Sequence, residues 1–159
     1  MSVFEYNFEQ YKSLSPDLYR KEKYNLQVEL LKLQEDVIKK KRKIAICFEG
    51  RDTAGKSSTI NFFSEHLIPS NFNYVHLGIP TKKERKNWFE RYETYLPNKG
   101  QIVLFDRSWY TRALTEPTLG YCSKKQYEEF MTKVNKWERS LVKKGTELVK
   151  FYFSIDKDQ

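Results

Sequence analysis

The sequence predicts an α/β fold in which a mostly parallel sheet lies between two layers of helices. Four apolar runs have the pattern of strands that are buried on both faces. They occupy residues 43–49, 73–77, 101–105 and 147–154. Helical segments separate these runs, so the connections are βαβ crossovers and the strands are expected to be parallel. The 159 residues have the length of one domain, which would bury about 70% of its unfolded surface.

A long helix is predicted before the first strand, over residues 15–40, and the α/β core then runs over residues 43–159. Ser15 is the expected N-cap and Pro16 the first helical residue. Residues 1–14 lack a clear periodicity, and we expect them to form a loosely attached arm. The apolar face of the helix packs against the core or, alternatively, forms a dimer seam. Its residues are Leu26, Leu30, Leu33 and Val37.

Three further helices are predicted between the strands. They cover residues 56–67, residues 82–96 and a third segment from about 123 to 144. The third begins with a capping box formed by Ser123 and Gln126. Side chains at helical spacing define the buried stripes of the last two helices. These are Trp88, Phe89, Tyr92 and Leu96, followed by Phe130, Val134, Trp137 and Leu141.

Residues 50–57 match the G-x-x-x-x-G-K-[ST] pattern of a phosphate-binding loop. The match directly follows a buried strand and opens a helix, which is the context that such a loop requires. Glycine backbone angles allow consecutive N–H groups to turn toward a phosphate, and the helix dipole attracts the same anion. We expect Lys56 to reach the non-bridging oxygens and Ser57 to bind Mg²⁺. The predicted phosphate-binding residues are Gly50, Arg51, Thr53, Ala54, Gly55, Lys56, Ser57 and Ser58.

Asp106 ends the third apolar run, at the sheet edge where the loop also lies. We interpret it as a Mg²⁺ ligand, directly or through water; the alternative is a cap on the next segment. Arg107 and Arg112 follow and are expected to neutralise phosphate charge, unless they are ordinary surface arginines. Asp52, inside the loop, is the candidate acid that binds metal or orients the attacking group. Its alternatives are a hydrogen bond within the loop or a pairing with Arg51.

The composition indicates which classes of partner and which cellular compartment are expected. The net charge of +8 favours phosphate-rich partners, among them nucleic acid, polyphosphate, nucleotides and anionic lipid. No apolar run approaches the roughly 20 residues of a membrane span, and the N-terminus does not resemble a secretory signal. Cys47 and Cys122 form no motif, so cytoplasm is the default location. His66 and His76 lack metal-ligand spacing and are assigned to packing or surface roles.

Several motifs together resemble the family-2 polyphosphate kinases. The most specific are the loop FEGRDTAGKSSTI (48–60) and the motif DRSWY-x-RA, which closes the stretch 80–113. Gly120-Tyr121-Cys122 and the helical segment 26–37 fit the family as well. The resemblance spans roughly residues 18–159.

This resemblance implies a P-loop kinase-like three-layer α/β/α sandwich, similar to thymidylate kinase, with a mobile helical lid. It implies a Mg²⁺-dependent phosphotransferase acting between inorganic polyphosphate and a nucleotide (ADP/ATP, GDP/GTP or AMP), and we expect a homo-oligomer. It further implies that Arg112 contacts phosphate and that Glu116 lies near the nucleotide. The residues that match the family's essential positions are Asp52, Lys56, Asp106 and Arg107. Those expected to hold the metal are Asp52, Ser57 and Asp106.

The chain departs from the family at its end, because family members continue past the fourth strand into a basic lid and a further strand. We therefore expect one phosphotransferase core over residues 1–159 without these parts, either a fragment or a degenerate copy. Two other functions stay open: an ATP-dependent nucleoside or nucleotide kinase of thymidylate-kinase-like fold, and a non-catalytic polyanion-binding module. The paired acids Asp52 and Asp106 argue against the module, since binding a polyanion does not require them. We expect no membrane partner and no specific nucleic acid partner.

Overall fold

The computed structural model describes residues 14–154 and contains a four-stranded sheet in the order β2-β3-β1-β4. All three strand pairings are parallel, which confirms the predicted sheet. The strands are β1 (Lys43–Gly50), β2 (Phe72–Val75), β3 (Gln101–Asp106) and β4 (Thr146–Phe153). The arm predicted for residues 1–14 lies, except for its last residue, outside the described residues.

Helices cover both faces of the sheet. They are α1 (Pro16–Lys40), α2 (Lys56–Ser64), α3 (Lys82–Lys86), α4 (Glu90–Glu93), α5 (Thr115–Thr118) and α6 (Lys124–Lys143). Val37 of α1 and Ile60 of α2 pack on one face, against alternate side chains of β1 and β3 that include Ile46. The opposite face is covered by aromatic side chains and α6. This arrangement confirms the three-layer sandwich.

Helix α1 begins as predicted, since the Ser15 hydroxyl accepts a hydrogen bond from the Leu18 amide at 3.2 Å. The predicted buried face is wrong for its N-terminal half, where Leu26 is 65% exposed. Burial begins near the C-terminal half because only that part lies over the sheet and α2. There the buried Gln34 amide exchanges two hydrogen bonds with the backbone of Ile68, at 2.7 and 3.0 Å.

The helix predicted over residues 82–96 is broken into α3 and α4. A complete capping box between Thr81 and Glu84 begins α3, and Asn87 leaves the helical conformation with φ −111° and ψ 60°. The break turns Trp88 into the core, where its indole N–H donates to the Trp109 carbonyl at 2.9 Å. Tertiary packing of an aromatic side chain therefore overrides the continuous helix that the spacing predicted.

The capping box of Ser123 and Gln126 at the start of α6 is confirmed by two hydrogen bonds of 2.9 and 3.2 Å. In the buried stripe of α6, Trp137 is only partly buried and Glu138 is buried beside it.

The predicted burial of the strands on both faces holds for β1 and β3 but is wrong for β2 and β4. These two lie at the edges of the described sheet, where fewer neighbours cover them.

No helix within the described part of the chain is long and apolar enough to cross a bilayer.

Gly50 and Gly55 allow the effect of a steric clash to be separated from the effect of backbone strain. A Cβ added at Gly50 (φ +135°) would lie 2.3 Å from the Phe153 carbonyl oxygen, whereas one at Gly55 (φ +85°) would meet no atom within 4 Å. We expect Gly55→Ala to destabilise the fold by about 1–2 kcal/mol, the cost of a left-handed residue. Gly50→Ala is expected to cost at least about 3 kcal/mol, because it adds a clash with β4. Urea unfolding followed by circular dichroism measures both; equal losses would contradict the close packing at Gly50.

Candidate phosphate-binding site

The loop and the strand-end acid meet at the carboxyl edge of the sheet. Strand β1 ends at Gly50, directly before the loop, and its parallel neighbour β3 ends at Asp106. The Ser57 hydroxyl, in the first turn of α2, donates to Asp106 Oδ2 at 2.8 Å. The predicted convergence of the loop with Asp106 is therefore present in the structure.

The loop backbone has the geometry that a phosphate cradle requires. Gly50, Thr53 and Gly55 all have positive φ angles, of 135°, 63° and 85°, and turns of this kind direct consecutive N–H groups inward. The buried Lys56 donates from Nζ to the carbonyl oxygens of Gly50 at 3.2 Å and Arg51 at 2.5 Å. An ammonium has three donors, so one N–H of Lys56 is left for a phosphate oxygen.

Asp106 is held by side chains that the sequence did not indicate. Besides Ser57, the Tyr74 hydroxyl donates to Asp106 Oδ2 at 2.8 Å, and His76 Nδ1 lies 3.7 Å from the same oxygen. Burial, together with this hydrogen bond, raises the pKa of Tyr74 to about 12. Their positions in the sequence could have indicated them. Tyr74 and His76 are two residues apart at the end of a strand, so they project from the same side.

Arg107 adopts the left-handed conformation, with φ 60°, and its backbone N–H donates to the Phe48 carbonyl at 3.0 Å. Its guanidinium forms an ion pair with Asp52 across the mouth of the loop and lies 3.4 Å from the Thr115 hydroxyl. Asp52 therefore has a cation partner from outside the loop. The pair leaves most of the five guanidinium donors available to an anion.

A buried carboxylate lies beneath Arg107. Glu49, the residue before Gly50, accepts hydrogen bonds from both the backbone N–H and the hydroxyl of Ser108, each at 2.6 Å. Burial raises the pKa of the Glu49 carboxyl, although these hydrogen bonds act in the opposite direction. Glu49 and Ser108 were not among the predicted site residues, because nothing in the local sequence distinguishes a buried glutamate at a strand end from an exposed one.

The structure does not bring Arg112 to the loop, and its contact with phosphate stays a prediction. Arg112 is 1% exposed, its guanidinium stacks 3.9 Å from the centre of the Trp88 ring, and its Nε lies 3.2 Å from Glu116 Oε2. Burial raises the pKa of the Glu116 carboxyl, and the neighbouring Arg112 opposes that shift. Arg112 is held in the core by Glu116 and Trp88.

Arg107 lines three adjoining clefts, and two of them also contain His76. The loop cleft, of about 280 Å³, is lined by Asp52, Thr53, Gly55, Lys56, Ser57, Ser58, His76, Asp106 and Arg107. The second, which we call the Glu116 cleft, has about 370 Å³ and includes Pro80, Arg91, Arg107, Thr115 and Glu116 in its lining. Arg107 and His76 line both clefts. The site can therefore hold two anionic groups side by side with Arg107 between them.

The donor set at the loop cleft suits a hard divalent cation. Asp52, Ser57 and Asp106 offer carboxylate and hydroxyl oxygens, the ligands that Mg²⁺ prefers. Among residues 14–154 no group of three or more His, Cys, Asp or Glu side chains could hold a metal by itself. Mg²⁺ in phosphotransfer sites is commonly bound by one or two protein ligands together with substrate phosphates, and the residues present fit that mode.

Comparison with known proteins gives consistent matches. The profile of the polyphosphate kinase 2 family matches residues 13–159. A GDP-polyphosphate phosphotransferase of Pseudomonas aeruginosa is 44% identical over 142 residues, which cover 89% of this chain and 40% of that protein. A GDP-polyphosphate phosphotransferase of Mycolicibacterium smegmatis is 46% identical over 142 residues, covering 89% of this chain and 50% of that protein.

Solved structures agree with this match. A polyphosphate kinase 2 structure from Pseudomonas aeruginosa superposes with a TM-score of 0.84 at 31% identity, covering 92% of this chain and 32% of that one. A second, from Arthrobacter aurescens, has a TM-score of 0.83 at 23% identity and supports the fold alone; it covers 92% of this chain and 54% of that one. The predicted P-loop kinase-like fold is confirmed. The chain spans 40% and 50% of the lengths of the two phosphotransferases.

Replacement of Glu116 tests its structural pairing with Arg112. We expect Glu116→Gln to lower the free energy of unfolding by about 3 kcal/mol, because it leaves a buried guanidinium without its counter-charge. Because a raised pKa means that folding favours the neutral carboxyl, the wild type gains stability as the pH falls through the pKa of Glu116, whereas Glu116→Gln does not, and the difference between them should grow. Urea unfolding at several pH values measures this effect.

The control is the double variant Glu116→Gln/Arg112→Met, which removes both charges and should regain part of the lost stability. An unchanged stability in Glu116→Gln would mean that Arg112 does not depend on Glu116.

Proposed function

The chain belongs to the polyphosphate kinase 2 family, and on that premise we propose that it transfers a phosphoryl group between inorganic polyphosphate and a nucleotide. The observation that carries this proposal is the convergence of Lys56, Ser57, Asp106 and Arg107 on one cleft. Phosphoryl transfer needs little covalent chemistry from the protein, so positioning and charge stabilisation supply most of the catalysis. This cleft combines a backbone cradle, two cations and metal-binding oxygens.

Each residue has a role that follows from its contacts. Lys56 lies inside the loop and directs its remaining donor toward a phosphate, and Arg107 neutralises charge on the group in transfer from its place between the two clefts. The loop residues Gly50 to Ser58 bind phosphate through backbone N–H groups. Asp52 orients Arg107 and contributes an oxygen to the metal together with Ser57 and Asp106.

Kinases of this family generally need a divalent metal, and we assign Mg²⁺ to Asp52, Ser57 and Asp106. When bound, Mg²⁺ neutralises charge on the phosphate oxygens. Ser57 already donates to Asp106 Oδ2 at 2.8 Å, so its hydroxyl oxygen and the carboxylate are close enough to bind one ion together. The metal-dependent step can be tested by removing the ion with a chelator and restoring it.

The acceptor is a nucleoside diphosphate in our proposal. Relatives are named GDP-polyphosphate, ADP-polyphosphate and NDP-polyphosphate phosphotransferases, which supports a diphosphate over a monophosphate. The Glu116 cleft, adjoining the loop cleft through Arg107, has room for this substrate. Glu116 itself contributes to the shape of that cleft while it pairs with Arg112.

We also propose that the protein works in the cytoplasm as a homo-oligomer. Cys47 and Cys122 are both free, in keeping with a reducing compartment. The N-terminal half of α1 exposes Leu18, Tyr19 and Leu26, a surface that suits a second copy. Size-exclusion chromatography with light scattering measures the oligomeric state, and a monomer at micromolar concentration would argue against this part of the proposal.

Two single substitutions test the catalytic set. We expect Lys56→Ala and Asp106→Asn each to lower ATP formation from ADP and polyphosphate at least about 100-fold, the usual loss for a charge-stabilising group. Lys99→Ala is the matched control, because it removes an exposed cation just before β3, at the opposite edge of the sheet. A coupled luciferase assay gives the rates, and circular dichroism verifies folding.

A near-normal rate in either variant would remove that residue from the catalytic set. If the wild-type chain forms ATP only from another nucleoside triphosphate, it is an ordinary nucleotide kinase. If it binds polyphosphate without turnover, it is a polyanion-binding module.

The salt response tests the polyphosphate contact. Binding a polyanion releases counterions, so affinity should fall steeply as salt rises. For about three phosphates contacted by Lys and Arg, we expect at least about a tenfold loss between roughly 50 and 200 mM NaCl. Isothermal titration calorimetry with polyphosphate measures this slope, with ADP as the comparison ligand. A flat response would contradict a multi-phosphate contact.

A further inference from the structure

Glu49 is a buried carboxylate with no assigned part in the site. It is the last residue of β1 before Gly50, is 7% exposed, and lies directly beneath the loop. The backbone N–H and the hydroxyl of Ser108, which is itself fully buried, both donate to Glu49 Oε1. Burying a carboxylate is costly unless hydrogen bonds compensate it. We therefore ask what the buried Glu49 carboxylate contributes to the site.

Arg107 occupies a backbone conformation that needs support. Its φ of 60° lies in the left-handed region, which residues other than glycine, asparagine and aspartate rarely adopt. Two successive residues of β1 hold it there: Phe48 accepts from the Arg107 N–H at 3.0 Å, and Glu49 accepts from the Ser108 N–H at 2.6 Å. The turn is therefore fastened on both sides of the Arg107 α-carbon.

The conformation of this turn sets the direction of the Arg107 side chain. From it the guanidinium extends over the loop to Asp52 and reaches the Thr115 hydroxyl. An extended or right-handed backbone at Arg107 would project the side chain elsewhere. Displacements of about 1 Å in a positioning group can cost about 100-fold in rate.

We propose that Glu49 is a positioning residue that holds the left-handed turn at Arg107 through Ser108 and thereby directs the Arg107 guanidinium to the transferred phosphate. The role of Arg107 in transfer rests on the proposed function, whereas the hold on its backbone does not. Glu49 touches neither the cleft nor the reacting groups and acts through the two donors of Ser108.

Two conservative variants separate hydrogen-bond reach from charge. Glu49→Gln keeps a carbonyl oxygen at the same reach but removes the negative charge, whereas Glu49→Asp keeps the charge and shortens the side chain by one methylene. If positioning is the role, Glu49→Asp should lose about 10- to 100-fold in kcat/KM and Glu49→Gln should stay within about threefold. The opposite order would mean that the charge of Glu49 acts on the site directly, and would overturn the proposal.

A double-mutant cycle with Arg107 excludes a general effect of destabilisation. In an Arg107→Ala background, Glu49→Asp should change kcat/KM by less than about threefold, because the group it positions is gone. Equal losses in both backgrounds would contradict the proposal. The matched control is Glu138→Gln, another buried carboxylate, which accepts from Trp109 and Tyr110. It should lower stability while leaving kcat/KM within about threefold.

A spectroscopic readout keeps this test independent of turnover. The Nε–H resonance of Arg107 in ¹⁵N-arginine-labelled protein, assigned by its loss in Arg107→Ala, should shift in Glu49→Asp and stay in place in Glu49→Gln. If the wild type transfers no phosphate from polyphosphate, the proposed function fails while this signal still decides the role of Glu49. An unmoved signal in Glu49→Asp would overturn the positioning role.

If Glu49→Asp does not fold, Ser108→Ala replaces it, because this variant removes one of the two donors and keeps the other. It is expected to lose about 3- to 10-fold in kcat/KM, again only when Arg107 is present. Additive losses with Arg107→Ala would reject the proposal in this case as well.

Discussion

The parallel pairing of β1 with β3 is the constraint on which the site depends. The register places Phe48 beside Asp106, so the chain leaves both strands at the same level of the sheet. The phosphate loop then begins two residues after Phe48, and Arg107 begins its turn one residue after Asp106. A slip of one residue would turn the strand side chains to the other face and separate Asp106 from Ser57. The two apolar layers, one on each face of the sheet, hold this register.

Buried charged groups organise the segment that follows β3. Glu49 holds Ser108, Glu138 accepts from Trp109 and Tyr110 and pairs with Lys150, and Glu116 pairs with Arg112. Three carboxylates from different parts of the fold thus contact four of the nine residues from 108 to 116. Such groups contribute little net stability, because desolvation offsets most of the attraction. Their directional hydrogen bonds instead select one conformation for a segment that contains only two short helical turns, Trp109–Arg112 and Thr115–Thr118.

Oxygen atoms of the protein accept hydrogen bonds from the two cations of the cleft, Lys56 and Arg107. Carbonyl oxygens accept from Lys56, and the Asp52 carboxylate accepts from Arg107. Both cations are therefore already held at the loop by oxygen acceptors. An anion that enters the cleft meets cations already in place, so little side-chain ordering is required on binding.

Local patterns in the sequence determined much of this protein. The strand-loop-helix at residues 48–60, the strand-end pair Asp106-Arg107 and the helix caps at Ser15 and Ser123 depend on neighbours within a few residues, so they can be recognised without a structure. Motif resemblance likewise indicated the family that the profile match then showed. The fold class followed from the alternation of apolar runs with helical segments.

Only the tertiary structure decided the remainder, because those features depend on distant residues. Glu49 meets Ser108 across 59 positions and Tyr74 meets Asp106 across 32, and no local pattern encodes such pairs. The burial of Arg112 and the break of the helix at Asn87 both follow from where Trp88 packs. A sequence shows which side chains could bind phosphate, but their directions are set by the packing of the core beneath them.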